Sequence, residues 1–274
     1  LASVGAVLQK VPPRSLYADA AKVLRKGDTV DVSWLTKFLS ENGYGRADTV
    51  MEPGEFAIRG GLVDLFPPGT TEPLRLDLFG DSLESIRSFD PMSQLSTGER
   101  TEVVLLPVSE VLLTPESIER FRSGYRALFG NVAGEDVLYE AVSAGQRHVG
   151  MEHWLPLFHD HLETLIDYCP DGVVTADHQI KEAFDARHEL IVDYYDARVK
   201  TGARGGMSGG ADYKPVPTEQ LYLKPSQWEH LLEGHSVGQF TSFDAPPETA
   251  NAIDLGGRRH EGFAQARTAQ GVNL

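Results

Sequence analysis

A single cysteine, Cys169, stands among 274 residues, so no internal disulfide can form, and such scarcity points to a reducing cytoplasm. With no Cys or His at ligand spacing around it, Cys169 reads as a small buried hydrophobe. No run approaches the roughly 20 apolar residues that a membrane span requires, so no membrane partner is expected. Cations are scarce too. Lys and Arg number 25 against 40 Asp and Glu, a formal charge of -15 that opposes a sequence-independent grip on nucleic acid. Also missing is a Gly-Lys-Ser/Thr end to any glycine-rich loop. The carboxylates are scattered rather than paired at a spacing that marks an acid and a base. These residues therefore assign no catalytic, cofactor-binding or metal-binding position.

What remains is the composition of a globular protein, 41% hydrophobic with 27 Gly and 16 Pro, long enough for two modest domains. The first residue is Leu1, with no preceding Met or basic leader, so the chain reads as a piece of something longer. Asp31 to Gly43 has helical spacing, with Ser33 as its cap, Trp34, Leu35, Phe38 and Leu39 on one face and Gly43 as its stop. Thr114 to Gly130 is a second amphipathic helix, capped by Thr114, opened by Pro115, and apolar along Ile118, Phe121, Tyr125 and Leu128. Further along, Gly172 to Thr175 reads as a strand and Ile180 to Lys200 as a helix, an α/β-like order. Thr201 to Pro217 is rich in Gly and Pro and reads as a flexible loop; beyond Phe243 the chain looks like a linker, with Phe263 as a candidate docking residue. The histidines of HWLPLFHDH, 153, 159 and 161, tempt toward a metal, but Pro156 and the missing fourth ligand favour solvated or capping roles.

Between Phe56 and Asp90 the apolar period switches to two, broken at Gly60-Gly61, Pro67-Pro68-Gly69 and Gly80-Asp81, which predicts an antiparallel meander. In EPLRLDLFGD the leucines 74, 76 and 78 alternate with Arg75, Asp77 and Phe79, so the leucines take the core and Arg75 and Phe79 share the outer face. Phe56 and Ile58 likewise turn Arg59 outward, with a bulge possible at Gly60-Gly61. Outward arginines and an outward phenylalanine are types enriched at protein-binding hot spots. The bland alternative, an arginine stem covering a half-buried phenylalanine, stays open. Under the binding reading, removing Arg75 should cost binding while folding barely notices.

The stretch EPGEFAIRGGLVDLFPPGTTEPLRLDLFGDSLESIRSFDPMSQ closely resembles the domain by which the excinuclease protein UvrB and the transcription-repair coupling factors bind UvrA. LQKVPPRSLY before it and YEAVSAGQRHVGMEHWLPLFHD after it resemble the coupling-factor family, so the resemblance runs from about Leu1 to Phe240. It implies a mixed α+β and α/β fold: a mixed-sheet UvrA-binding insert at 21–107, set into a partial, degenerate helicase-like domain formed by 1–20 and 108–240, with 241–274 a linker. It also implies that Arg59, Arg75 and Phe79 contact UvrA, that this piece is not an enzyme and holds no cofactor, and that ATP, magnesium, RNA polymerase and DNA are bound by other parts of the parent. The alternative within the resemblance is UvrB itself, an ATP-dependent damage-binding enzyme. Against it stand a missing aromatic hairpin between Tyr17 and Gly54 and a degraded acidic box: Ala176-Asp177-His178-Gln179, which lacks the Glu, follows DYCPDGVVT.

Overall fold

Strand-forming alternation governs residues 55–105 and helical spacing most of the rest, and the chain divides its core accordingly. The computed structural model describes residues 1–130, 136–202, 213–241, 243, 246 and 248–256; the stretch 203–212 and Phe263 lie outside them. In chain order the strands are β1 (Lys22–Arg25), β2 (Gly45–Arg46), β3 (Glu55–Arg59), β4 (Leu62–Leu65), β5 (Leu74–Phe79), β6 (Ser82–Phe89), β7 (Ser96–Arg100), β8 (Glu102–Leu105), β9 (Val174–Asp177) and β10 (Val237–Phe240). Strands β2 to β7 form one six-stranded sheet in sequence order, parallel between β2 and β3 and antiparallel elsewhere. The expected meander is therefore present inside a mixed sheet.

Two-residue hairpins join β3 to β4 and β5 to β6. Gly60 and Gly80 each take φ +61°, the left-handed conformation that such a turn asks of its first residue. Gly61 has a second constraint, because a Cβ there would lie 2.5 Å from the Leu78 carbonyl oxygen. Gly60-Gly61 is thus a hairpin turn and not the bulge that the sequence allowed. The pairing of β5 with β6 shifts beyond Asp77, and the extra residue in β6 lets Leu83 and Ile86 both reach the core.

One face of the sheet packs on the helix Val32–Glu41. Phe56, Val63, Leu65, Leu74, Leu76, Leu78 and Ile86 meet Leu35, Phe38 and Leu39 in one buried cluster. Trp34, expected on that apolar face, is instead 40% exposed and stacks on Phe38. The cap is also two residues earlier than expected: Asp31 is extended and accepts from the Ser33 N–H at 2.7 Å, while Ser33 is already helical. Pairing of β1 with β8 brings the two ends of residues 22–105 side by side.

The flanking segments build the other cores. The helix Pro115–Phe129 has the expected Thr114 cap and Gly130 stop. Its Phe121 and Tyr125 pack on Leu138, Trp154 and Phe158, whereas Leu128 is exposed. The amino-terminal residues join this part of the chain through backbone bonds from Val11 to Glu163 and from Leu223 to Leu8, each 2.8 Å. The long helix Ile180–Gly202 buries Phe184 and Ile191 against Leu8, Leu223 and Trp228. Strands β9 and β10 pair in parallel on either side of it in sequence, and β9 starts two residues later than the period predicts. Cys169 is exposed, contrary to expectation, because it lies in consecutive turns: its N–H bonds Ile166 and its carbonyl accepts from Gly172, both at 2.9 Å.

Leu76 is fully buried at the centre of the first core, so Leu76→Ala should lower stability by about 2 to 5 kcal/mol in urea melts. His159 is a separate probe. Its Nε2 lies 2.9 Å from the Glu110 carbonyl, and burial holds its pKa below the ordinary 6.5. Below about pH 6.5 the unfolded chain takes up a proton there that the folded chain refuses, so stability should fall with acid. His159→Gln should flatten that limb of the stability curve, and an unchanged slope would contradict this placement.

Candidate functional site

The side chains on the uncovered face of the sheet follow from strand parity and register. Cross-strand pairing aligns Ala57, Asp64, Arg75, Arg87 and Glu99 in one row, and Arg59, Leu62, Asp77 and Ser85 in the next. Arg59, Arg75 and Phe79 therefore share this face, as alternation predicts. Their surroundings differ sharply, however, and one residue that the sequence pattern did not single out explains why.

That residue is Asp64, 1% exposed in the middle of β4. Its carboxylate receives a bidentate grip from Arg75, with Nε donating to Oδ1 at 2.6 Å and Nη2 to Oδ2 at 2.9 Å, and Arg59 Nη2 also donates to Oδ2. A buried carboxylate without such partners would be expensive, and planar guanidinium forks meet its geometry. Bonding to Asp64 raises the Arg75 pKa above its already high ordinary value, so its charge is permanent. The Arg75 guanidinium also lies 4.7 Å above the ring of Phe89, which with Val50, Ala57 and Phe66 forms a small core on this side. On the adjoining strands Arg87 Nη2 bonds Asp77 at 3.2 Å.

The alternative of an arginine stem over a phenylalanine fits one of these residues, with a different ring. Arg75 does cover a phenylalanine, but it is Phe89, and only 16% of its side chain is exposed. Phe79 is 83% exposed, while Arg59 is 49% exposed with Nε and Nη1 outside any hydrogen bond among the described residues. Arg75 is a strut, which corrects the expectation that folding would barely notice its loss. The signal for Asp64 was a carboxylate inside the otherwise apolar run LVDLF, a place where charge needs a partner.

Elsewhere the chemistry is internal. A shallow cavity of 410 Å³ is lined by Ser15, Asp19, Arg120, His159 and His161 among others, but Arg120 is paired with Asp160 at 2.8 Å and His159 with a carbonyl. His153 packs edge-on against Tyr213, and no three-ligand cluster suited to a metal ion occurs among the described residues. Asp177, at the degraded acidic box, is exposed and accepts from the Gln179 N–H at 2.9 Å, as a turn residue does. No described helix is long and apolar enough to cross a membrane.

This sheet, with its helix-backed core and charged outer face, lies within residues 23–111, which match the UvrB interaction domain family. Transcription-repair-coupling factors are similar over a longer span. That of Rickettsia bellii is 33% identical over 83% of this chain and 20% of its own length, and that of Escherichia coli K12 is 33% identical over 91% and 21%. The coupling factor of Myxococcus xanthus is 37% identical over 62% of this chain and 14% of its own. The chain belongs to the transcription-repair coupling factor family and spans about a fifth of the length of the first two of these curated relatives.

Because Arg75 compensates a buried charge, Arg75→Ala should destabilise the fold by about 3 kcal/mol or more. Arg59→Ala, at a half-exposed position with one contact, should cost under about 1 kcal/mol. Urea melts of the two variants measure the difference, and equal losses would refute the strut assignment.

Proposed function

We propose that the outer face of β3 to β6 binds UvrA, and that the chain acts as an interaction scaffold in transcription-coupled nucleotide excision repair. In this reading 21–107 is the binding insert, and 1–20 with 108–240 form a helicase-like body that has lost its ATPase motifs. Residues 241–274 lead on as a linker. Arg59 and Phe79 make the partner contacts, and Arg75 belongs to the same site from beneath. Recruitment of UvrA to damage at a stalled RNA polymerase then relies on parts of the parent beyond this span, where ATP, magnesium, DNA and polymerase binding would lie.

The observation that carries the proposal is the presence of a bare phenylalanine ring and a half-free guanidinium on one face of the sheet inside the matched UvrB interaction domain. Anchors of these two types dominate hot spots because the ring contributes apolar area at low entropic cost and the fork recognises a carboxylate in two places. The competing enzyme reading, an ATP-dependent UvrB excinuclease, has less support: the relatives described above are coupling factors, and Asp177 stands without a neighbouring Glu.

Phe79→Ala and Arg59→Ala should each weaken UvrA binding by about tenfold or more in titration calorimetry while melting close to the parent. Parental affinity in both would refute the assigned face. In the same instrument ATP with magnesium should give no micromolar, stoichiometric signal, and such a signal would revive the enzyme reading.

A further inference from the structure

We infer that Asp64 is a positioning residue for partner binding: pinned by Arg75, it holds Arg59 by one guanidinium edge so that the other edge faces outward. This rests on the reading of the face as a UvrA site. Three observations support it. Asp64 is almost wholly buried, so it cannot itself meet a partner. Arg75 engages both of its oxygens through a fork and is itself held at the far side, where Nη1 approaches the Gln94 carbonyl at 3.4 Å and the ring of Phe89 supports the guanidinium. Arg59 joins the same carboxylate from the end of β3 through Nη2 alone, which leaves Nη1 and Nε unbonded among the described residues on a half-exposed side chain.

The physical consequence is preorganisation. An arginine on a strand end samples many rotamers, and a partner that binds it must meet the cost of ordering them. Anchoring one edge to a fixed anion meets that cost in the free protein, and the anion also offsets repulsion between the two neighbouring cations. Only a guanidinium has two such edges; a lysine at 59 could divide its three donors between Asp64 and a partner carboxylate but would present a planar fork to neither.

A double-mutant cycle on UvrA binding separates this role from simple support of the fold. In the parent background Asp64→Asn should weaken binding about tenfold, whereas added to Arg59→Ala it should cost less than about twofold more. Added to Phe79→Ala, whose ring does not depend on Asp64, it should cost the full factor again. An equal loss in all three backgrounds would make Asp64 a structural residue and overturn the inference. Should Asp64→Asn fail to fold, Arg59→Lys decides: it should lose about tenfold although it keeps the charge, and parental affinity would overturn the inference. Should Arg59→Ala and Phe79→Ala both bind like the parent, the site reading itself falls, a result distinct from either of these.

Discussion

A carboxylate buried inside a β-sheet sets the terms for everything on the outer side of this domain. Asp64 is buried away from solvent, so the sheet must bring cations to it, and the register of β4 against β5 does so by placing Arg75 directly opposite. The other side chains follow from that pair. Phe89 lies beneath the Arg75 guanidinium, Arg59 reaches in from β3, and Asp77 answers Arg87 one row away. The result is an ordered charged layer over a small second core, with the leucine core and its helix underneath.

Most of the architecture was legible because it depends on local pattern. The leucines 74, 76 and 78 fall inside and Phe79 outside, as a period of two requires, and Thr114, Pro115 and Gly130 bound their helix where their chemistry places them. What was not legible depends on pairing across distance. That Asp64 faces Arg75 is set by a loop of several residues between β4 and β5, whose length does not specify register, and that Arg75 covers Phe89 rather than Phe79 follows from the separate alignment of β5 with β6. Smaller errors share a cause. Asp31 and Ser33 are both good caps, so spacing alone cannot choose between them, and Cys169 is exposed by two turns that hydrophobicity does not encode.

Outside the sheet, some charged groups are used in internal ties. Asp136 accepts from Tyr125 Oη at 2.6 Å and pairs with Lys214 at 2.8 Å, tying the residues that follow the glycine-rich stretch to the helical core. Arg147 donates to Ser109 Oγ and to the Val111 carbonyl where the chain leaves the sheet domain. On the outer face of the sheet a bare aromatic ring and free cationic donors occur together, and the functional proposal centres there.

The central claim, that this face meets the partner, is tested most directly by contact mapping rather than by loss of affinity. A photo-crosslinking amino acid in place of Phe79 should couple to UvrA on illumination, and the same group in place of Trp34, on the helix that backs the opposite side, should not. Coupling through position 34 with none through position 79 would contradict the account.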